Sequence, residues 1–134
     1  MVNPNLWGPH GWKFMHYTAL GYPDEPTLQD KNNYKFFYNN LQNTLPCLKC
    51  RVHYAENIKN NPIDNHLNSK IDLFKWTIDI HNITNKDNNK KIYSYDEALA
   101  IYTKNYYERF DNIYIIILLI IVVLLILYIC KKCK

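Results

Sequence analysis

Residues 34–50 read Tyr34-Lys35-Phe36-Phe37-Tyr38-Asn39-Asn40-Leu41-Gln42-Asn43-Thr44-Leu45-Pro46-Cys47-Leu48-Lys49-Cys50. Tyr34, Phe37, Tyr38, Leu41 and Leu45 recur at i, i+3, i+4, i+7 and i+11, the stripe of an amphipathic helix, and Pro46 closes it. The two cysteines then open the next helix. At a helix N-terminus a Cys-x-x-Cys pair can close a disulfide, and the helix dipole with Lys49 and Arg51 favours a thiolate. A zinc site built on this pair would need two histidines as further ligands. A thioredoxin-like pair would follow a strand in a βαβ unit, whereas here an amphipathic helix precedes it.

Working outward, the same periodicity predicts helices on both sides. Trp12, Met15, His16, Ala19 and Leu20 share a face that ends at Tyr22-Pro23, and residues 1–12 read as two Pro-flanked turns. A third helix runs from the cysteines to about Lys59, before Pro62. A fourth starts after Ser69, with Asp72 placed for a capping box, and lines up Ile71, Phe74, Ile78, His81 and Asn85. Asn85 to Lys91 reads as a polar loop, and Ser94-Tyr95-Asp96-Glu97 starts a short fifth helix. With almost no strand signal, the expected fold is all-α: a four-helix bundle with a short fifth helix.

Beyond it, Ile113 to Ile129 is an unbroken apolar or aromatic run, about 26 Å of helix at ~1.5 Å per residue, and is predicted to cross a membrane. The expected organisation is a domain over 1–110, a transmembrane helix over 112–130 and a basic tail over 131–134. Of 134 residues and a net charge of +4, the tail lysines Lys131, Lys132 and Lys134 supply three charges. The rest is near neutral, so no nucleic-acid partner is expected. No secretory leader is legible, and a span so near the end resembles a tail anchor, which favours a domain on the cytosolic side. The basic tail pulls the other way under the positive-inside bias.

Histidines interrupt two apolar faces. His16 lies one turn after Trp12, and His81 continues the face of Phe74 and Ile78. Either alone reads as a hydrogen-bonded core residue. Together with Trp12, Trp76, Tyr22, Asn82 and Asn85 they suggest the lining of a planar ligand held between helices. No resident metal is expected.

At these residues the chain resembles the Erv/ALR family of flavin-linked sulfhydryl oxidases, over roughly Trp7 to Tyr106. The resemblance rests on Trp7-Gly8-Pro9-His10-Gly11-Trp12 with His16 and Tyr22-Pro23, on Pro46-Cys47-Leu48-Lys49-Cys50, and on Trp76 with His81-Asn82-Ile83-Thr84-Asn85. It implies a helical bundle around FAD, usually a homodimer. Gly8, Trp12, His16 and Tyr22 would contact the nucleotide from the first helix, and Trp76 would join them in binding it. His81, Asn82 and Asn85 would hold its adenosine side, Lys86, Lys90 or Lys91 would lie near the phosphates, and Tyr95 would close the pocket.

The resemblance also implies roles for the two sulfurs. Cys47 would be exposed and attacked by substrate, and Cys50 would lie next to the flavin. Protein dithiols would be oxidised to disulfides and O2 reduced to H2O2. Together with Asn-rich, AT-biased composition and the missing leader, this chemistry implies a large cytoplasmic DNA virus and a virion or host-cell membrane.

Two features depart from the family. Its further structural disulfide has no counterpart here, because the corresponding positions fall near Ile58/Lys59 and at Ile78. Cys130-Lys131-Lys132-Cys133 has the spacing of a shuttle pair but follows the apolar run, and reads as juxtamembrane cysteines suited to acylation. The reading from a different class is a non-enzymatic membrane-anchored helical adaptor.

Overall fold

The structure, a computed structural model, describes residues 2–132, and side chains in that range other than those of 105–112 and 127. Cys133 and Lys134, to which the tail reading extends, lie outside the described residues. The described residues form α1 (Pro4–Leu20), α2 (Leu28–Thr44), α3 (Leu48–Asn60), a 3-10 turn (Ile63–His66), α4 (Lys70–Asp87) and α5 (Tyr95–Lys132), with no strand.

The helix starts follow from capping chemistry. Ser69 accepts from the Asp72 N–H at 3.1 Å, and Ser94 and Glu97 bond reciprocally, as the spacing predicts. Two starts fall earlier than the apolar stripes suggest. Thr27 and Asp30 close a full capping box, so α2 begins at Leu28. Residues 4–12 are helical and not a pair of turns, because Asn3 caps the Asn5 N–H at 3.0 Å and Pro4 occupies the first helical position, where a missing N–H costs nothing. Pro9 sits inside α1, so the helix gives up one backbone bond there.

In the bundle, α1 packs chiefly on α4 and α2 on α3, while α3 and the 3-10 turn also rest on α4. Helix α4 is the centre, burying Leu73, Phe74, Trp76, Thr77, Ile78, Ile80 and Asn85. Ile71, expected on this face, is instead 43% exposed, at the open first turn of α4. Buried phenols tie the helices together. Tyr54 donates to the Tyr38 carbonyl at 3.1 Å, and Tyr38 donates to the Met15 carbonyl at 2.8 Å, linking α3 to α2 to α1. Burial raises both phenol pKa values, so both remain donors. Ile58 and Ile78 are both buried.

The chain divides into two compact units, Met1–Ala98 and Leu99–Lys134. The fifth helix is not short. With no Gly or Pro between Tyr95 and Lys132, nothing interrupts it before the apolar run. Within the second unit, Ile113–Lys132 is long and apolar enough to cross a membrane, with a mean hydropathy of 3.5 and, among the described residues, none buried.

Candidate active site

Three of the residues singled out above meet where α1 packs on α4. His81 stacks on Trp12 with centroids 4.2 Å apart and planes 8° from parallel, and Trp12 also stacks on His16 at 6.0 Å. His16 Nε2 lies 2.9 Å from His81 Nδ1, and His16 Nδ1 lies 2.9 Å from the Thr77 hydroxyl. Burial first, then the neighbouring His81, lowers the His16 pKa to about 3; burial first, then the Lys90 charge, lowers that of His81 to about 4. Both rings are therefore neutral at physiological pH. Thr77 was not legible as a site residue. Its signal was a polar side chain one turn before His81 on the buried face.

Asn82 and Asn85 serve the return of the chain. After α4, Asn89 takes a left-handed φ of 53°, which asparagine tolerates, and the chain turns back. Asn82 then makes two bonds to the Tyr93 backbone, at 2.8 and 3.1 Å, and Asn85 donates to the Lys91 carbonyl at 2.9 Å. The extended segment has no sheet partner, so side chains satisfy its backbone. These bonds use one of the two Asn82 amide N–H groups and one lone pair of its carbonyl oxygen.

Lys91 pairs with Glu97 at 3.1 Å, and Lys90 is the lysine whose charge His81 feels. Tyr95 donates to Asp79 at 2.7 Å. Tyr22 and Trp76 are core residues, at 0% and 1% exposure. Their polar atoms are engaged by the carbonyls of Leu67 and Asn61, so they are not brought into the ring stack.

The cysteine pair lies at the start of α3. Cys47 is its N-cap, and its sulfur accepts the Cys50 N–H at 3.2 Å. Both cysteines are free thiols. Cys47, expected to be exposed, is 6% exposed over the whole residue because capping turns its side chain back over the first turn, and Cys50 is half-buried; the heavier desolvation nonetheless falls on the Cys50 sulfur. The Cys50 thiol and N–H, followed by smaller contributions including Lys49, lower the Cys47 pKa. Burial, then the bond to Cys47, pushes Cys50 up to about 11. In the reduced pair the charge therefore rests on Cys47 and the proton on Cys50. Arg51, expected to assist, instead donates to the Leu45 carbonyl at 2.6 Å and clamps the turn before the cysteines.

The residues present fit a flat, phosphate-bearing cofactor. A side chain at Gly8 would meet no atom within 4 Å, which leaves room for close approach to that turn of α1. The buried Trp7 indole N–H has no acceptor among the described residues. The Trp12–His81 pair supplies an aromatic wall and Lys90 a nearby cation.

The Erv1 / Alr family pattern matches residues 9–109. A probable FAD-linked sulfhydryl oxidase of Acanthamoeba polyphaga mimivirus is 45% identical over 77% of this chain and 73% of its own length. An FAD-linked sulfhydryl oxidase of African swine fever virus is 35% identical over 74% of this chain and 82% of its own. Among solved structures, the yeast Erv1 core is 25% identical, with a TM-score of 0.71 over 76% of this chain and 85% of that one. The FAD binding domain of Erv1 from Saccharomyces cerevisiae is 26% identical, with a TM-score of 0.69 over 78% and 93%. Family pattern, viral relatives and helical core agree, and the chain belongs to the Erv1 / Alr family.

Proposed function

We propose that this chain is an FAD-dependent thiol oxidase that forms disulfides in protein substrates and passes the electrons to O2, giving H2O2. The observation that carries the reading is the neutral Trp12–His16–His81 ring cluster, held between α1 and α4 of the same bundle that sets a Cys-x-x-Cys pair at the start of α3. FAD would be held by Gly8, Trp12, His16 and His81, with Lys90 and Lys91 on the phosphate side. Asn82 and Asn85 fix the returning segment, Tyr22 and Trp76 back the wall from the core, and Tyr95 flanks it. Bound there, FAD supplies a two-electron acceptor.

The protein's own part is thiol–disulfide exchange. A substrate thiolate attacks one sulfur of the Cys47–Cys50 disulfide, and the S–S bond breaks to release the other as a thiolate. The second substrate thiolate resolves the mixed disulfide. Substrate leaves oxidised, and the pair holds two electrons and up to two protons. The family resemblance gives the attacked role to Cys47 and the cofactor-side role to Cys50. Residues 1–110 would be the oxidase domain, working as a homodimer, with 112–130 as a membrane anchor and 131–134 as a basic tail.

The test is the full-length protein purified in detergent. A flavin absorbance spectrum should accompany it, and dithiothreitol should drive O2 consumption with stoichiometric H2O2. Protein that takes up no FAD when supplied with it, and consumes no O2, would refute the reading and leave the adaptor alternative.

A further inference from the structure

Thr77 belongs to no motif quoted above, yet the ring cluster ends on it. Its hydroxyl lies 2.7 Å from the Phe74 carbonyl and 2.9 Å from His16 Nδ1. A carbonyl can only accept, so two oxygens at that distance need a proton between them, and the single hydroxyl proton goes to Phe74. The hydroxyl must then accept from His16, which puts the His16 proton on Nδ1. A neutral imidazole carries one N–H, so His16 Nε2 is an acceptor. Its neighbour at 2.9 Å, His81 Nδ1, must be the donor. That leaves His81 Nε2 bare, and no group among the described residues hydrogen-bonds to it.

We propose that Thr77 is a positioning residue that fixes the tautomers of His16 and His81, so that His81 Nε2 meets the bound cofactor as a hydrogen-bond acceptor. The ligand group it selects is a donor, a hydroxyl or an exocyclic amine of the nucleotide; a phosphate oxygen there would face a lone pair. The proposal rests on the reading of this cluster as an FAD site.

The tautomers are read by 15N-resolved imidazole spectra of the wild-type protein, with and without FAD. Both His16 and His81 should be protonated at Nδ1 and not at Nε2. Thr77→Val, which keeps the shape and removes the hydroxyl, should shift the His16 and His81 nitrogen signals and weaken FAD binding by about tenfold or more. Thr77→Ser should restore both. An Nε2-protonated His81 in wild-type protein that binds FAD overturns the relay, whether or not the valine variant folds. Thr77→Val that binds FAD as tightly as wild type overturns the positioning role. Wild-type protein with the expected tautomers but no FAD uptake removes the cofactor reading on which the role depends.

Discussion

His81 lies face to face with Trp12, its ring centroid 4.2 Å from the indole and its plane 8° off, so two helices distant in sequence share one aromatic wall. The contact is made by a neutral imidazole, as is the 2.9 Å contact with His16 behind it. Both pKa values are lowered on folding, from 6.5 to about 3 and about 4. Between those values and 6.5 the unfolded chain binds more protons than the folded one. Stability is therefore lost as pH falls through 6.5, and the loss continues down to the folded values.

The slope approaches at most about 1.4 kcal/mol per pH unit for each histidine. Urea midpoints measured at pH 7, 6 and 5 should fall, more steeply at each step, and His16→Gln should flatten the curve. A wild-type midpoint that does not change between pH 7 and 5 would show that the imidazoles are not held neutral.

The cysteine pair gives a prediction that separates its two members. In the reduced protein, alkylation of Cys47 should begin below the ordinary thiol value of 9.0, while Cys50 should respond only as pH approaches about 11. Mass spectrometry after brief labelling across pH reads both. Cys47→Ser and Cys50→Ser should each abolish dithiol oxidation and retain FAD. If Cys50 is the cofactor-side sulfur, a long-wavelength band that grows with pH should appear in Cys47→Ser and not in Cys50→Ser. A band in the opposite variant would reverse that order.

Periodicity and capping were enough to read most of this bundle, because helices that bury one face must write that face into the chain. Tyr34 to Leu45 and Ser69 to Asn85 are such cases. What escaped was written in other terms. Pro4 and Pro9 read as turns because proline marks both a turn and a helix start, and the Asn3 cap that decides between them is a single side chain. Asn82 carried a motif, yet its amide goes to Tyr93, a partner set by where the loop returns. The Cys47 exposure depended on a rotamer at the N-cap. Thr77 looked like an ordinary core position, and only the geometry of His16 and Phe74 around it gives it a role.

Where the resemblance would place the family's further disulfide, this chain buries Ile58 and Ile78, at 8% and 2% exposure. Packing must then supply what a crosslink of ~2–4 kcal/mol would contribute. Ile78→Ala should cost about 2–5 kcal/mol, the range for emptying a packed aliphatic site. Ile78→Val should cost only about 0.5–1.5 kcal/mol. Denaturant unfolding of the flavin-free protein measures both. An Ile78→Ala loss below that of Ile78→Val would mean the centre of α4 is not close-packed.

The 20 residues of Ile113–Lys132 make about 30 Å of helix, enough to match a hydrocarbon core of that thickness. The helix's described side chains are exposed, which in water would be costly and in lipid is favourable. Cys130 stands at its far end, exposed, and the segment Cys130–Cys133 reaches at most ~14 Å. A span that crosses a bilayer therefore keeps the tail cysteines from a domain on the other side. Truncation after Asp111 should abolish membrane association, retain bound flavin, and leave turnover on dithiothreitol within about twofold, since no site residue lies beyond that point. Oxidation of an unfolded, reduced protein substrate should be equally unaffected. A severe loss on the protein substrate alone, reproduced by Cys130→Ser with Cys133→Ser in the full-length chain, would make the tail an electron shuttle and exclude the transmembrane placement.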